Sequence, residues 1–203
     1  MKIICIGRNY REHARELSNP VPEDPVFFFK PDTSILRHNR PFVYPDFSHD
    51  IHYETEIVVK ICKNGKNIAS AHAGAYYEEI GIGIDFTARD LQQKAKEKGL
   101  PWALAKGFDH AAPLSPFLPK TILPRVNDLH FHLSLNGNTL QRGCTADMIF
   151  PVDELIRYLS KFMTLRKGDL LFTGTPAGVG PVRKGDFLEA FIEDKRMLWC
   201  EVK

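Results

Sequence analysis

The sequence has no apolar run long enough to cross a membrane and no block of like charges. Its first apolar stretch ends at Gly7, which is too short for a signal peptide. The formal net charge of +2 is small and evenly spread, so nucleic acid is not an expected partner. A hydrophobic content of 43% excludes a disordered chain. These features predict a cytoplasmic protein with neither a membrane nor a nucleic-acid partner.

Cysteine is scarce and scattered. The four cysteines form no Cys-x-x-Cys pair, so neither a zinc knuckle nor a redox motif is indicated. They are Cys5, Cys62, Cys144 and Cys200. We expect each to be a small, reduced, buried hydrophobic residue of an intracellular enzyme.

The remaining pattern predicts one domain, residues 1–203, without internal repeat or linker. Alternation and apolar runs predict strands at 2–6, 26–29, 54–62, 80–86, 129–135, 139–142, 169–172, 187–192 and 197–202. Helices are predicted at 10–17, 69–77, 87–98 and 151–163. The expected fold is mostly β with peripheral helices (α+β).

Two local signals refine these elements. Asn136-Gly137 predicts the turn of a hairpin, with His130 and His132 on its polar, solvent-facing side. Thr87 has the position of a helix N-cap, with Asp90 three residues later, and Gly99 would end that helix.

One predicted strand carries two carboxylates on the same face. Successive side chains of a strand point to opposite faces, so Glu54 and Glu56 project together while Thr55, Ile57 and Val59 face a core. Two carboxylates held this close repel each other unless a proton or a cation lies between them. The simpler alternative is an ordinary solvated strand face.

A second strand offers a third carboxylate. Gly81, Gly83 and Asp85 share one face of the strand at 80–86, and glycines there indicate close approach of a ligand or another segment. If the two strands are neighbours, three carboxylates converge, which suits Mg²⁺ or Mn²⁺ better than zinc. An aspartate at a strand end is otherwise a common cap or turn residue.

An ordered set of short motifs now points to a known family. They are Gly7-Arg8-Asn9-Tyr10, His13 with Glu16, Phe29-Lys30-Pro31, Glu54-Thr55-Glu56, Asp85-Phe86-Thr87-Ala88-Arg89-Asp90, Leu104-Ala105-Lys106-Gly107-Phe108 and Thr173-Gly174-Thr175-Pro176. In this order and spacing the chain resembles the fumarylacetoacetate hydrolase family, closest to its short branch of acylpyruvate hydrolases and oxaloacetate decarboxylases. The resemblance extends from Gly7 to about Val202.

This resemblance implies a mixed β-sandwich roll of the family's C-terminal-domain type, a homodimer, and a Mg²⁺ or Mn²⁺ ion on Glu54, Glu56 and Asp85. That is the trio that the strand patterns propose. The implied substrates are 2-oxo acids and their enols. They would chelate the metal, which acts as a Lewis acid and stabilises an enolate.

The resemblance also assigns catalytic roles. His13 and Glu16 match a histidine–glutamate dyad that activates water, and Lys106 matches a lysine that stabilises oxyanion charge. Taken alone, the first two would be an exposed helix-face pair, and Lys106 a lysine whose stem covers apolar surface.

Substrate-binding roles fall by position on Arg89 and Gln92 near a helix start, and on Thr175 in a Gly/Pro turn. Arg8 either binds substrate or anchors the first loop. Lys30 either adds positive potential or is structural.

The function implied is metal-dependent hydrolysis of the C–C bond of 3-acylpyruvates to pyruvate and a carboxylate, with oxaloacetate decarboxylation as a possible second activity. One alternative is an isomerase or decarboxylase of 2-hydroxy-diene-dioates from aromatic degradation. Another is a non-catalytic binding protein that keeps the fold. Ala146-Asp147 is more acidic than expected at that point, which leaves the acyl-chain preference open.

Overall fold

The computed structural model describes residues 1–123 and 125–203. Its longer strands are β1 Ile3–Gly7, β2 Val26–Lys30, β4 Ile51–Tyr53, β5 Thr55–Ile61, β6 Tyr77–Ile84, β10 His130–Leu135, β11 Asn138–Cys144, β12 Leu170–Phe172, β14 Phe187–Ile192 and β15 Lys195–Glu201. Two-residue strands are β3 Ile35–Leu36, β7 Thr87–Ala88, β8 Ala112–Pro113, β9 Leu118–Pro119 and β13 Gly180–Pro181. The helices are α1 Arg11–Glu16, α2 Ser70–Ala73, α3 Arg89–Glu97, α4 Ala103–Lys106 and α5 Val152–Phe162.

These strands form two main sheets. The six-stranded sheet has the order β2-β1-β12-β5-β6-β9, and the four-stranded sheet has the order β11-β10-β14-β15. The first is mixed, because β1 runs parallel to β12 while its other pairings are antiparallel. Most of the core lies on one face of the six-stranded sheet, and a smaller cluster covers the other face. The predicted fold, mostly β with helices at the periphery, is confirmed.

The β5–β6 pair of the six-stranded sheet positions the carboxylates. β5 pairs antiparallel with β6, and Glu56 lies opposite Gly83 while Thr55 lies opposite Ile84. Glu54 directly precedes β5 and Asp85 directly follows β6, so both fall at the same end of this pair. The backbone N–H of Asp85 donates to the carbonyl of Glu54 at 2.8 Å and extends the pairing past both strand ends. The two strands are therefore neighbours, which is the condition on which the three carboxylates converge.

Gly83 is required at its position by a close approach. A Cβ atom there would lie 2.5 Å from Cε1 of Phe172 and 3.1 Å from the carbonyl oxygen of Pro113. The predicted meaning of a glycine inside this strand is therefore correct, and the approaching group is a core side chain of β12 together with backbone.

The hairpin and the last long helix form as predicted. Asn136 and Gly137 have φ of 52° and 81°, which suits a two-residue hairpin turn. His130 is exposed and His132 is half-buried against Phe191, with ring centroids 4.4 Å apart. On α5 the buried side chains include Val152, Leu155, Ile156 and Leu159, whereas Phe162 is largely exposed.

Other predictions were wrong in part. Thr87 lies in β7, and its hydroxyl donates to the carbonyl of Asp85 instead of capping α3. Asp90 accepts from the hydroxyl of Ser48 at 2.7 Å. Cys62 and Cys144 are half-buried rather than buried.

The helix predicted at 69–77 is shorter than expected, since α2 gives way to a 3₁₀ turn over Gly74–Tyr76. No helix within the described residues is long and apolar enough to cross a membrane.

Candidate metal centre and active site

Three buried carboxylates converge at the end of the β5–β6 pair. Glu54, Glu56 and Asp85 are 5%, 1% and 1% exposed, and one oxygen of each lies within 4.8 Å of the others. Three like charges at this separation are unfavourable unless cations or protons balance them. The arrangement predicted from alternation within two strands is therefore present in the fold.

Two lysines supply part of that balance. Lys106 Nζ lies 2.8 Å from Glu54 Oε2 and 2.7 Å from Asp85 Oδ2, and it donates to Thr87 Oγ1 at 2.6 Å. Burial lowers the pKa of Lys106, but Asp85 and Glu54 outweigh it and raise that pKa above its ordinary value. Lys106 is therefore a fixed positive charge.

Lys30 is the second of these lysines. Its Nζ lies 2.7 Å from Asp85 Oδ1, with both side chains buried, and it donates to the carbonyl oxygens of Phe86 and Lys106. Lys30 therefore has both of the roles considered for it. Its side chain links three segments of the chain, which is structural, and it also adds positive charge at the site. Only the pairing of β2 with β1 brings it there, which a local motif does not reveal.

Arg89 binds Glu54 from the start of α3. Its Nη2 donates to Glu54 Oε1 at 2.6 Å, and its Nη1 donates to Gln92 Oε1 at 2.7 Å. Burial raises the pKa of Glu54, but Lys106 and Arg89 together hold it well below its usual range. Glu54 is thus an ionised carboxylate at neutral pH.

Glu56 has the opposite electrostatic environment. Burial, followed by the charges of Asp85 and Glu54, raises the pKa of Glu56 well above its usual range. Its one backbone donor among the described residues is the N–H of Gly174, at 2.7 Å from Oε2. Gly174 has φ of +101°, and a Cβ there would lie 2.7 Å from Asn9 Cβ, so only glycine fits this contact.

The donor set fits a hard divalent cation. All three ligands are carboxylates, which Mg²⁺ and Mn²⁺ prefer, and the cluster contains no imidazole or thiolate. Asp85 Oδ1 is buried and accepts no well-oriented hydrogen bond from the described residues, although Lys30 Nζ is near. A cation would satisfy that oxygen and offset the effects that raise the pKa of Glu56, namely burial and the charges of Asp85 and Glu54.

The histidine–glutamate pair lies beside the carboxylates on α1. His13 Nδ1 is 3.3 Å from Glu16 Oε2, and Glu16 Oε1 accepts from the N–H of Gly178 at 3.0 Å. An ionised carboxylate only accepts, so Nδ1 carries a proton and Nε2 keeps its lone pair. Burial lowers the pKa of His13, and this outweighs Glu54 and Glu16, which raise it. The imidazole is therefore neutral near pH 7.

Gln141 is a site residue that the sequence did not reveal. Its Nε2 donates to Thr175 Oγ1 at 2.8 Å, and its Oε1 accepts from the N–H of Thr55 at 2.9 Å. Its side chain thus ties the Gly/Pro turn to the strand between the two glutamates. Gln141 is fully buried whereas Leu140 and Arg142 on either side of it are exposed, and the sequence alone carries no signal of this.

One small cavity joins these groups. It holds about 30 Å³ and is walled on its apolar side by Phe28 and Trp102. The predicted residues that line it are Arg8, His13, Glu54, Glu56, Asp85, Arg89, Gln92, Lys106 and Thr175. Glu16 is set back and reaches the cavity through His13. All ten predicted site residues are therefore brought together.

The fold and the site together define a class of protein. It is a mostly β domain in which a carboxylate cluster and cationic side chains surround one cavity. The fumarylacetoacetate (FAA) hydrolase C-terminal family matches residues 2–202, and the chain belongs to that family. This is the same family that the ordered motifs of the sequence resemble.

Similar proteins support the assignment of the chain to this family. The chain is 42% identical over 190 residues to bovine (Bos taurus) mitochondrial oxaloacetate tautomerase FAHD1, covering 94% of this chain and 86% of that protein. It is 43% identical over 192 residues to the mitochondrial oxaloacetate decarboxylase of Dictyostelium discoideum, covering 94% and 88%.

Among solved structures, fumarylpyruvate hydrolase from Pseudomonas aeruginosa in complex with Mn²⁺ and pyruvate superposes with a TM-score of 0.95. That comparison has 36% sequence identity and covers 100% of this chain and 89% of the other. By their names, the first two relatives act on oxaloacetate and the third acts on fumarylpyruvate.

Proposed function

We propose that this protein is a Mg²⁺- or Mn²⁺-dependent enzyme that acts on short 2-oxo acids through their enolates, with oxaloacetate as the first substrate. The observation that carries this proposal is the cavity where Glu54, Glu56 and Asp85 face Lys106 and a neutral histidine. The choice of oxaloacetate as the first substrate to test is supported by relatives named for oxaloacetate tautomerisation and decarboxylation.

The three carboxylates would hold the metal, and the bound ion would act as a Lewis acid toward the 2-oxo oxygen. Lys106 places a permanent positive charge within 2.8 Å of two of these ligands, where oxyanion charge develops on the substrate. A preorganised cation in a buried site stabilises that charge without reorganisation at the moment of reaction. Arg89 and Arg8 line the cavity and would bind the substrate carboxylate, with hydrogen bonds from Gln92 and Thr175, which line it too.

His13 is the group that moves a proton. Nδ1–H donates to Glu16, so Nε2 is the nitrogen available to the substrate. In tautomerisation Nε2 would take a proton from C3 of the keto acid, and the resulting imidazolium would return it to the enolate oxygen. In decarboxylation carbon dioxide leaves first and the enolate is protonated afterwards, so a base is not needed for bond cleavage.

Hydrolysis of 3-acylpyruvates is the second candidate. The same His13–Glu16 pair could take a proton from water, which adds to the distal carbonyl before the C–C bond breaks and releases the enolate of pyruvate. The Mn²⁺ and pyruvate complex of fumarylpyruvate hydrolase supports this reaction class. Isomerisation of 2-hydroxy-diene-dioates is a third candidate, supported by solved structures named 5-carboxymethyl-2-hydroxymuconate delta-isomerase from Mycobacterium smegmatis and 2-hydroxyhepta-2,4-diene-1,7-dioate isomerase from Mycobacterium marinum, each 35% identical to this chain. The non-catalytic alternative has no support from the site.

The test is a set of three rates on purified protein with saturating Mg²⁺ or Mn²⁺: oxaloacetate tautomerisation, oxaloacetate decarboxylation and acetylpyruvate hydrolysis. His13→Ala should lower tautomerisation and hydrolysis by about a hundred- to ten-thousandfold, the value of a placed base, and affect decarboxylation far less. His132→Ala, on the other sheet, is the matched control. Equal loss of all three rates in folded, metal-loaded His13→Ala would contradict the proton-transfer role, and activity on none of these substrates would refute the proposal.

A further inference from the structure

A second group of potential metal ligands lies outside the cavity, at the open end of the β10–β11 hairpin. Asp128, His130 and Cys144 each offer one ligand atom, and the three atoms lie within 4.8 Å of one another. His130 and Cys144 are directly opposite in the strand pairing, and Asp128 ends the 3₁₀ turn that leads into β10. None of the three lines the cavity described above.

The separation of two ligand atoms agrees with tetrahedral coordination. Cys144 Sγ lies 3.5 Å from Asp128 Oδ1. With Zn–S near 2.3 Å and Zn–O near 2.1 Å, two ligands at the tetrahedral angle would be about 3.6 Å apart. The same distance also allows a weak hydrogen bond from the thiol to the carboxylate. The case for a metal site therefore depends on the third ligand, His130, and on how the backbone holds the three residues.

The backbone around the group is held in place on both sides. The residue between Asp128 and His130 is Leu129, whose N–H donates to Thr145 Oγ1 at 2.8 Å and whose carbonyl accepts from the N–H of Thr145 at 3.0 Å. Thr145 is the neighbour of Cys144 and is 3% exposed. Its hydroxyl also donates to the carbonyl of Val126 at 2.8 Å. The three ligand residues are therefore adjacent to backbone that the buried Thr145 fixes through hydrogen bonds.

We propose that Asp128, His130 and Cys144 form a site for Zn²⁺ or a similar thiophilic divalent ion, with water as the fourth ligand. Thiolate, imidazole and carboxylate together suit zinc and are a poor set for Mg²⁺. Both Asp128 and His130 are exposed and Cys144 is half-buried, so an ion can enter. The ion would join the 3₁₀ turn to both strands of the hairpin.

This chemistry separates the site from the carboxylate centre. The latter offers three carboxylate ligands, so it prefers Mg²⁺ or Mn²⁺, whereas the hairpin group would select zinc from a mixture. The hairpin site is 3 residues along β11 from Gln141, which reaches Thr175 in the cavity, but none of its ligands touches the catalytic groups. Occupancy should therefore leave the reaction with Mg²⁺ intact.

Titration of the reduced protein with Co²⁺ tests the site directly, because thiolate bound to Co²⁺ gives a charge-transfer absorption band in the near ultraviolet. The wild-type protein should show this band, saturating at one ion per chain, and Zn²⁺ should abolish it. Cys144→Ser should lose the band, and His130→Ala and Asp128→Asn should bind roughly tenfold or more weakly. Cys62→Ser, which alters the other half-buried thiol, is the matched control and should keep it.

Two further measurements complete the design. Zn²⁺ should protect Cys144 from alkylation by iodoacetamide while Cys62 in the same sample stays reactive, and Glu56→Gln should retain the cobalt band because that substitution alters the other centre. The proposal is overturned if the reduced wild-type protein gives no band, if the band survives in Cys144→Ser, or if Zn²⁺ does not slow the alkylation of Cys144.

Discussion

Lys106 and Asp85 form a buried ion pair, with Nζ 2.7 Å from Oδ2, although they lie 21 residues apart in the chain. Lys106 ends α4 and Asp85 follows β6, so the pair joins a short helix to the end of the β5–β6 pair in the six-stranded sheet. Asp85 and Glu54 keep the lysine charged by raising its pKa against the effect of burial. The ammonium is therefore suited to stabilise negative charge rather than to act as a base.

Lys106→Met tests this electrostatic role, because methionine keeps much of the side-chain volume without the charge. We expect kcat for both decarboxylation and hydrolysis to fall by about a hundred- to a thousandfold, the scale for loss of one oxyanion-stabilising group. Lys60→Met, which removes a partly exposed ion pair with Glu79, is the control and should retain activity. Near-normal kcat in folded, metal-loaded Lys106→Met would contradict this role.

The pH dependence of kcat/KM should report the environment of His13. Its pKa is lowered by burial and raised by Glu54 and Glu16, so Glu16→Gln should lower that pKa further. The acidic limb of the tautomerisation or hydrolysis profile should then move to lower pH, with a lower plateau because the imidazole loses its orienting partner. The exposed Glu12→Gln on the same helix should shift nothing. A shift of the limb to higher pH would show that another group controls it.

The same lowered pKa has a consequence for stability. The unfolded histidine has a pKa near 6.5, above that of the folded residue, so protonation favours the unfolded chain. The contribution of His13 to stability should therefore fall as pH drops below about 6.5 and should be constant above it. Chemical unfolding of wild type and His13→Ala across this range would measure the difference, and a contribution independent of pH would contradict it.

Gly83→Ala should destabilise the sheet under the metal centre. The new Cβ would meet Phe172 Cε1 at 2.5 Å, and overpacking of this kind costs about 1–3 kcal/mol. Gly7→Ala in β1 is the matched control, because its nearest contact would be an ordinary 3.6 Å to Trp102. Urea unfolding of both variants measures the change. Equal stability of Gly83→Ala and wild type would show that Phe172 moves without cost.

A homodimer remains our proposal for the assembly. β2 is an edge strand of the six-stranded sheet, and its Phe29 side chain is 46% exposed. Open edges and exposed aromatic groups are commonly covered by symmetric association. Sedimentation at micromolar concentration should give twice the chain mass, and Phe29→Lys should weaken the dimer more than Phe187→Lys on the other sheet. A wild-type monomer would contradict the proposal.

The sequence predicts those parts of the site that depend on local periodicity. Alternation put Glu54 and Glu56 on one face of their strand and Asp85 on the glycine face of the second strand, and the three converge on the condition that the strands are neighbours. The resemblance of the motifs supplied the remaining groups. Lys30 and Gln141 depend on strand pairings distant in sequence, so no local pattern identifies their partners.

Helix and burial signals were less reliable where tertiary contacts compete. Thr87 has the composition of a cap, yet its hydroxyl accepts from Lys106 and donates to a backbone carbonyl. The hydrophobic spacing of α5 likewise includes Phe162, which is 58% exposed and lies against the rings of Tyr158 and of Phe27 in β2. In both cases the local sequence is compatible with the observed position but does not determine it.

In the proposed mechanism, three carboxylates bind the divalent ion on which activity depends. This role is tested by calorimetric titration with Mn²⁺, paired with the rate of reaction on oxaloacetate, in wild type, Asp85→Asn and Glu79→Gln. The Glu79→Gln control removes a carboxylate of the same sheet that lies outside the cluster. We predict one site per chain in wild type and Glu79→Gln, with activity abolished by chelator and restored by Mn²⁺ or Mg²⁺. In Asp85→Asn both binding and activity should fall by roughly tenfold or more, since one anionic ligand is lost. Unchanged Mn²⁺ affinity in Asp85→Asn, or full wild-type activity in metal-free buffer, would contradict the account.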